Sequence, residues 1–212
     1  MKVKPYLVGI AGGSASGKTS FLMDLKNSLP PKTVSIITQD NYYLPIHEQK
    51  KDENGEVNFD LPTSIDREKF HADLEHVMNW EPITIKEYTF NNAEKVPGLI
   101  TIEPRPIIIM EGLFIFHFEE IRKALDLRVF IDVREHKMLE RRLKRDYIER
   151  GYNEESVRYQ WENHVVPSYK KYLKPYRDDS HVIVTNNSHY TKGLDVITNH
   201  LRSKLISHFY QQ

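Results

Sequence analysis

Eight consecutive residues, Gly12-Gly13-Ser14-Ala15-Ser16-Gly17-Lys18-Thr19, carry the most specific chemistry in the chain. Glycines on either side of four free residues let the backbone curl until successive N–H groups point inward as an anion nest. Lys18 then reaches the β- and γ-phosphates of a nucleotide, and the Thr19 hydroxyl ligates Mg²⁺. Such a pattern also recurs by chance, so its flanks decide. Tyr6 to Ala11 reads as a buried strand, and Phe21, Leu22, Leu25 and Leu29 recur at helical spacing over residues 19–29. Strand, glycine loop and helix is the required order, with the helix adding the positive end of its dipole. A Gly/Ser linker would lack those flanks. Nucleotide binding is therefore expected of Gly12 through Thr19, with Ser20 following in the first helical turn.

Other candidates lie where apolar runs stop. Val34 to Thr38 reads as a strand ending at Gln39-Asp40-Asn41. Asp40 could take a proton from an attacking hydroxyl or help hold Mg²⁺ through water, or it could simply make a turn. Ile107-Ile108-Ile109-Met110 is a continuous apolar run closed by Glu111. A carboxylate there is poorly explained by packing, so a place beside Mg²⁺ is favoured over a structural salt bridge. Asp132 ends another run and is read as a weaker candidate of the same kind or as the cap of a helix from Glu135. The charged stretch 135–174 supplies Arg142, Arg145 and Arg150, cations suited to a lid over a transferring phosphoryl group. Its Glu140–Lys144 and Asp146–Arg150 pairs are also what a solvated helix would carry, and Lys144 is given no role. Tyr42, Tyr43, Phe59, Tyr88 and Phe90 are either plain core or a platform for a flat ring. The histidines are scattered without metal-ligand spacing, so no zinc site is expected.

These residues need a scaffold, and alternating strands and helices give one. Ser64 is expected to cap a helix through Met78, with Ile65, Phe70, Leu74 and Val77 on one face. Ile83 to Phe90 and Leu99 to Ile102 suggest a small hairpin outside the main sheet. Helix is expected over 116–125, strand over 127–132 and 182–184, and a closing helix from Thr191 to Phe209 with Leu194, Ile197, Leu201, Leu205 and Phe209 as its stripe. The fold class is α/β, a P-loop NTPase-like sandwich with a mainly parallel sheet, whose ligands bind at the carboxyl ends of the strands. We expect one domain over 1–212, with a hairpin insertion for substrate at 82–103 and a helical lid at 135–174.

Composition narrows the partners. Lys plus Arg equals Asp plus Glu at 30 each in 212 residues, so no overall charge draws the chain to nucleic acid or to an anionic membrane. There is no cysteine, hence no disulfide framework and no thiolate site. No stretch reads as a signal peptide or a membrane span, and a cytoplasmic protein is expected.

Several motifs in order resemble the uridine kinase (uridine–cytidine kinase) family of the phosphoribulokinase/uridine kinase group. They are the glycine loop, Gln39-Asp40-Asn41-Tyr42-Tyr43, Asn58-Phe59-Asp60-Leu61-Pro62, Tyr88-Thr89-Phe90 and Met110-Glu111-Gly112. Arg141-Arg142-Leu143-Lys144-Arg145-Asp146, Glu149-Arg150-Gly151 and Gln160 complete them. The resemblance implies ATP- and Mg²⁺-dependent phosphorylation of the 5′-hydroxyl of a pyrimidine ribonucleoside, as in pyrimidine salvage. It implies Asp40 as general base, with Lys18, Arg145 and Arg150 completing the catalytic set. Thr19, Glu111 and Asp40 would lie around the metal, and Asp60 would hold ribose hydroxyls. Arg142 and Gln160 would touch the nucleoside, and Tyr43, Phe59, Tyr88 and Phe90 would surround its base. It is also compatible with a homo-oligomer.

Two departures fall on the base side. Family members usually carry a histidine shortly after Tyr-x-Phe, where this chain has Asn91-Asn92-Ala93-Glu94, and an arginine where it has Tyr152. An amide at Asn91 or Asn92 offers both donor and acceptor in the histidine's place. Two other readings stay open: a kinase of the same group for another small alcohol, and a nucleotide-binding switch without catalysis.

Overall fold

The computed structural model describes residues 3–89 and 96–210. Strand β1, Tyr6–Gly12, lies at the middle of a five-stranded sheet. It pairs in parallel with β5 (Ile107–Glu111) on one side and β6 (Leu127–Asp132) on the other. Outside these run β2 (Val34–Thr38) and β7 (Val182–Thr185), both parallel, giving the order β2-β5-β1-β6-β7.

Side chains alternate through this sheet because successive strand residues face opposite ways. Val8, Ile10, Ile107, Ile109, Val129 and Ile131 pack with α1 (Lys18–Asn27) and the closing helix α7 (Thr191–Tyr210). Leu7, Ala11, Ile108, Met110 and Phe130 pack with α2 (Arg67–Met78), α3 (Glu119–Ala124) and the separate antiparallel pair β3 (Ile83–Lys86) and β4 (Leu99–Ile102). Every residue of β5 is buried, which is why its sequence is apolar without alternation. The result is helices on both faces of a parallel sheet, as expected, with all five strand carboxyl ends at one edge.

From Glu135 the chain forms α4 (Glu135–Arg150), turns at Gly151, and restarts as α5 (Glu154–Gln160). This second helix continues through π-helical turns at Trp161–Val165 and Tyr169–Leu173, with the short α6 (Val166–Ser168) between them. Pro167 and Pro175 lack the N–H groups that α-helical pairing would use there, so widened turns are a natural outcome.

Five expectations are corrected. Helix α2 is capped by Asp66, whose carboxylate accepts from the Lys69 N–H, and Ser64 lies upstream in a 3₁₀ turn. Ile65 is taken out of the helix because it pairs with Tyr43. The strand from Ile83 stops at Lys86, where its partner β4 begins at Leu99. Helix α3 begins at Glu119, three residues later than its apolar pattern suggests, because Phe116 and Phe118 are buried in the turn before it. Along α7 the stripe ends on buried His208, while Phe209 is exposed. No helix among the described residues is long and apolar enough to cross a membrane.

Candidate active site

The carboxyl edge of the sheet is built first by the turn from β1 into α1. Gly17 holds φ at 90°, and a Cβ on it would lie 2.5 Å from the Asn186 amide nitrogen. That amide donates to the Ser16 carbonyl at 2.8 Å, so the loop is clamped from β7's end of the sheet. Lys18, only 8% exposed, donates to the Gly13 carbonyl at 3.1 Å and stands 3.9 Å from Glu111. Burial lowers its pKa, and the Glu111 and Asp40 carboxylates pull the other way. Thr19 and Ser20 are exposed in the first turn, facing the cavity described below.

The two strand-end carboxylates meet because β2 and β5 are neighbours: Thr38 pairs with Glu111, and Asp40 follows two residues later in a 3₁₀ turn. Gly112 makes the approach possible, since a Cβ there would lie 2.4 Å from that of Gln39. Burial pushes the Glu111 carboxyl up to about 7 against the pull of Lys18. Asp40 is raised too, first by burial, with Lys18, Arg150 and Arg145 opposing. Glu111 is 3% exposed, and its Oε2 has no hydrogen-bond partner. A buried oxygen left open beside a crevice, with the Asp40 carboxylate close enough to raise its pKa and Thr19 on the wall of the same cavity, suits Mg²⁺, which takes few protein ligands and fills the rest with phosphate and water. Asp132, the weaker candidate, is neither helix cap nor cavity wall: Arg134 occupies the cap position, and Asp132 is paired with Arg177 at 3.1 Å.

The arginines of α4 converge on one carboxylate whose sequence spacing resembles that of an ordinary helical partner. Asp146 is fully buried and stands 3.2 Å from Arg142, 2.8 Å from Arg145 and 3.4 Å from Arg150. Its pairing with Arg150 is the expected one, and the other two are additional. Arg142 also donates to the Ser14 hydroxyl at 2.8 Å and to the Gln160 side-chain oxygen at 2.9 Å, joining the glycine loop to α5.

At the other end, Tyr43 meets Phe59 edge to face at 6.0 Å and Tyr88 at 5.1 Å. Burial among these rings, with Asp40 and Asp60 nearby, holds the Tyr43 hydroxyl well above its ordinary pKa. Tyr42 is core, its hydroxyl donating to Asp73. Phe90 and Asn91 to Glu94 lie outside the described residues.

One cavity of about 860 Å³ connects all of this. Its walls include Ser14, Ala15, Gly17, Lys18, Thr19, Ser20, Asp40 and Glu111 toward the sheet, and Arg142, Arg145 and Arg150 above. Tyr43, Phe59, Asp60, Tyr88, Tyr152 and Gln160 complete the far side. Gly12, Gly13 and Ser16 stand behind that surface, and Gly13 packs near Met138 and Tyr169. Sequence reasoning missed a second group in the wall: Asn54, Glu56, Tyr159 and His164, drawn together around Asp52. The only sequence signal was the turn at Asn54-Gly55. Nothing in the sequence sets His164 apart from the other histidines, and no cluster of three metal-ligating side chains occurs among the described residues.

The chain matches the model of the Phosphoribulokinase / Uridine kinase family over residues 7–191. It is 32% identical to a uridine kinase of Lactobacillus helveticus over 95% of this chain and 96% of that one. A uridine kinase of Borrelia garinii is 34% identical, over 93% and 94% of the two chains. Uridine kinase-like protein 5 of Arabidopsis thaliana is 29% identical over 97% of this chain, which spans only 44% of that longer protein. Among solved structures, D-glycerate 3-kinase from Cryptococcus neoformans shares the fold at 15% identity, TM-score 0.56 and 86% coverage of both chains. A candidate fructose transport system kinase from Silicibacter does so at 15% identity and TM-score 0.66, covering 86% of this chain and 90% of that one.

Proposed function

The chain belongs to the phosphoribulokinase/uridine kinase family, and from that premise we propose that it transfers the γ-phosphoryl group of ATP to the 5′-hydroxyl of a pyrimidine ribonucleoside. It is a phosphotransferase. The observation that supports the substrate reading is that groups suited to phosphate and groups suited to a sugar and a flat ring line one cavity: Lys18 and Thr19, Asp60 and the Tyr43–Phe59–Tyr88 rings, with Asp40 among them.

In this reading the N–H groups of the glycine loop and the Lys18 ammonium cradle the phosphates. Mg²⁺ would be held by Thr19 and Glu111 with Asp40 alongside, and it would neutralise charge between the terminal phosphates. Asp60 accepts hydrogen bonds from ribose hydroxyls, and the rings flank the base, so the 5′-hydroxyl is presented toward Asp40. Asp40 accepts that hydroxyl's proton as the oxygen attacks in line. Its carboxyl is raised by burial, which makes it a stronger base than an exposed aspartate. Arg142, Arg145 and Arg150, held together by Asp146, supply positive charge where the transferring group builds negative charge. The reaction belongs in the cytoplasm, where ATP is supplied.

The test is ADP release by the full chain with ATP and Mg²⁺ against uridine, cytidine, purine nucleosides, and sugar-phosphate and pantothenate-like alcohols. Stimulation by uridine or cytidine above the others is expected. Stimulation only by a non-nucleoside alcohol would replace the acceptor, and none at all would overturn the reading.

A further inference from the structure

The segment between Tyr43 and Phe59 leaves the aromatic wall at one ring and returns to it at the other. In between, residues 50–58 fold back as a strap. Lys51 pairs antiparallel with Val57, the Asn58 N–H donates to the Lys50 carbonyl at 2.8 Å, and the Asp52 N–H donates to the Glu56 carbonyl at 2.8 Å. Asp52 has two separate tasks. Its Oδ1 builds the turn, accepting from the Asn54 and Glu56 N–H groups at 2.9 Å each. Its Oδ2 reaches a different part of the chain, accepting from the Tyr159 hydroxyl at 2.6 Å and from His164 Nε2 at 2.7 Å. Asn54 adds a second tie, its amide donating to the Tyr159 oxygen at 2.6 Å.

A turn needs only the first set of bonds. The second set costs the strap its freedom and pins its tip to the helix that also carries Gln160, which Arg142 links to the glycine loop. His164 is 2% exposed, so its ring donor is satisfied only while the strap is down. Lys51, Asn54, Glu56 and Val57 all face the cavity, which makes the strap a wall of the acceptor end.

We propose that the strap 50–58, latched by Asp52 onto Tyr159 and His164, is the wall that selects the acceptor, and that Asp52 is a positioning residue for the acceptor's ring. This rests on the nucleoside-kinase reading above. A wall fixed at one distance from the Tyr43–Phe59–Tyr88 rings rejects a bulkier ring by overlap and holds a smaller one without further ordering. Once unlatched, the strap must be ordered by each acceptor that binds, and it yields to larger ones.

Two substitutions separate the latch from the turn. Asp52→Asn weakens both, whereas Tyr159→Phe removes the latch hydroxyl, with its bonds to Asp52 and to the Asn54 amide, and leaves the turn's backbone N–H bonds from Asn54 and Glu56 intact. Steady-state kinetics should show uridine KM raised about tenfold in Asp52→Asn and about threefold in Tyr159→Phe, from the loss of charge-assisted hydrogen bonds. ATP KM should stay within about twofold, and the preference for uridine over adenosine should fall in both. An effect of Asp52→Asn with none of Tyr159→Phe would reduce Asp52 to a turn builder and overturn the proposal. So would equal rises in uridine and ATP KM. If the unsubstituted protein phosphorylates no nucleoside, the functional reading fails separately, and hydrogen exchange decides the latch. Faster exchange of the Asp52 and Asn58 amides in Tyr159→Phe then supports it, and unchanged exchange refutes it.

Discussion

The two ends of the cavity are built from different materials. At the phosphate end the sheet side of the wall is the glycine loop, strand termini and the first turn of α1, and the contacts that fix that side go largely to backbone. Asn186 donates to the Ser16 carbonyl, Lys18 to the Gly13 carbonyl, and Gly112 leaves no room for a side chain. At the acceptor end the walls are the strap, the residues after β3 and the helix from Glu154. The bonds that hold them run mainly from side chain to side chain: Asp52 to Tyr159 and His164, Asn54 to Tyr159, Arg142 to Gln160. A backbone-fixed site cannot be altered without disturbing the sheet. A site fixed by side chains can be re-cut by single substitutions while the fold persists, which is why acceptor choice is expected to vary at that end.

The division is tested most severely where the ends meet, at Asp40. As the proposed base it touches chemistry and not affinity, so Asp40→Asn should lower kcat about 100-fold or more and leave ATP KM nearly unchanged. Initial rates of uridine-dependent ADP release measure both. A loss of less than about tenfold would make Asp40 a turn residue of the 3₁₀ segment and leave the phosphate end without a base.

A smaller effect is expected wholly within the acceptor end. Asp60→Asn keeps the size and weakens the acceptor oxygens, so uridine KM should rise about tenfold while ATP KM stays constant, the signature of lost uniform binding. The same kinetic series reports it. A parallel rise in ATP KM would show that the two ends are coupled and do not bind their ligands independently.

The contrast also explains what was legible in the sequence. Gly12 to Thr19 is a local pattern whose geometry is set by neighbours in sequence, so the phosphate end could be read directly. Asp40 and Glu111 were legible because an apolar strand that stops at a carboxylate is a local signal as well. Asp146 looked like half of an i, i+4 pair, and nothing local distinguishes such a pair on a wet surface from a fully buried carboxylate shared by three arginines. The latch was invisible because Asp52 lies 107 residues from Tyr159 and 112 from His164. The cap of α2 failed for a different reason. Ser64 and Asp66 both qualify, and the pairing of Ile65 with Tyr43 favoured the later one.

The smallest effect concerns stability and belongs to the phosphate end alone. Glu111 titrates near 7 in the folded protein and near 4.5 when unfolded, because burial disfavours its charged form. Between those values the folded chain keeps a proton that the unfolded chain has released, so this group lowers stability as pH rises through the window. Glu111→Gln removes that contribution. In the absence of nucleotide and metal, the variant's Tm should exceed that of the unsubstituted protein by several degrees above pH 7, and the margin should shrink toward pH 5. Thermal melts across pH 5–8 measure it. A gain in stability from deleting a functional group would mean that the phosphate end is held in a costly arrangement by its backbone frame. A flat difference across the window would mean that Lys18 already compensates the charge, leaving that end no more strained than the latched acceptor end.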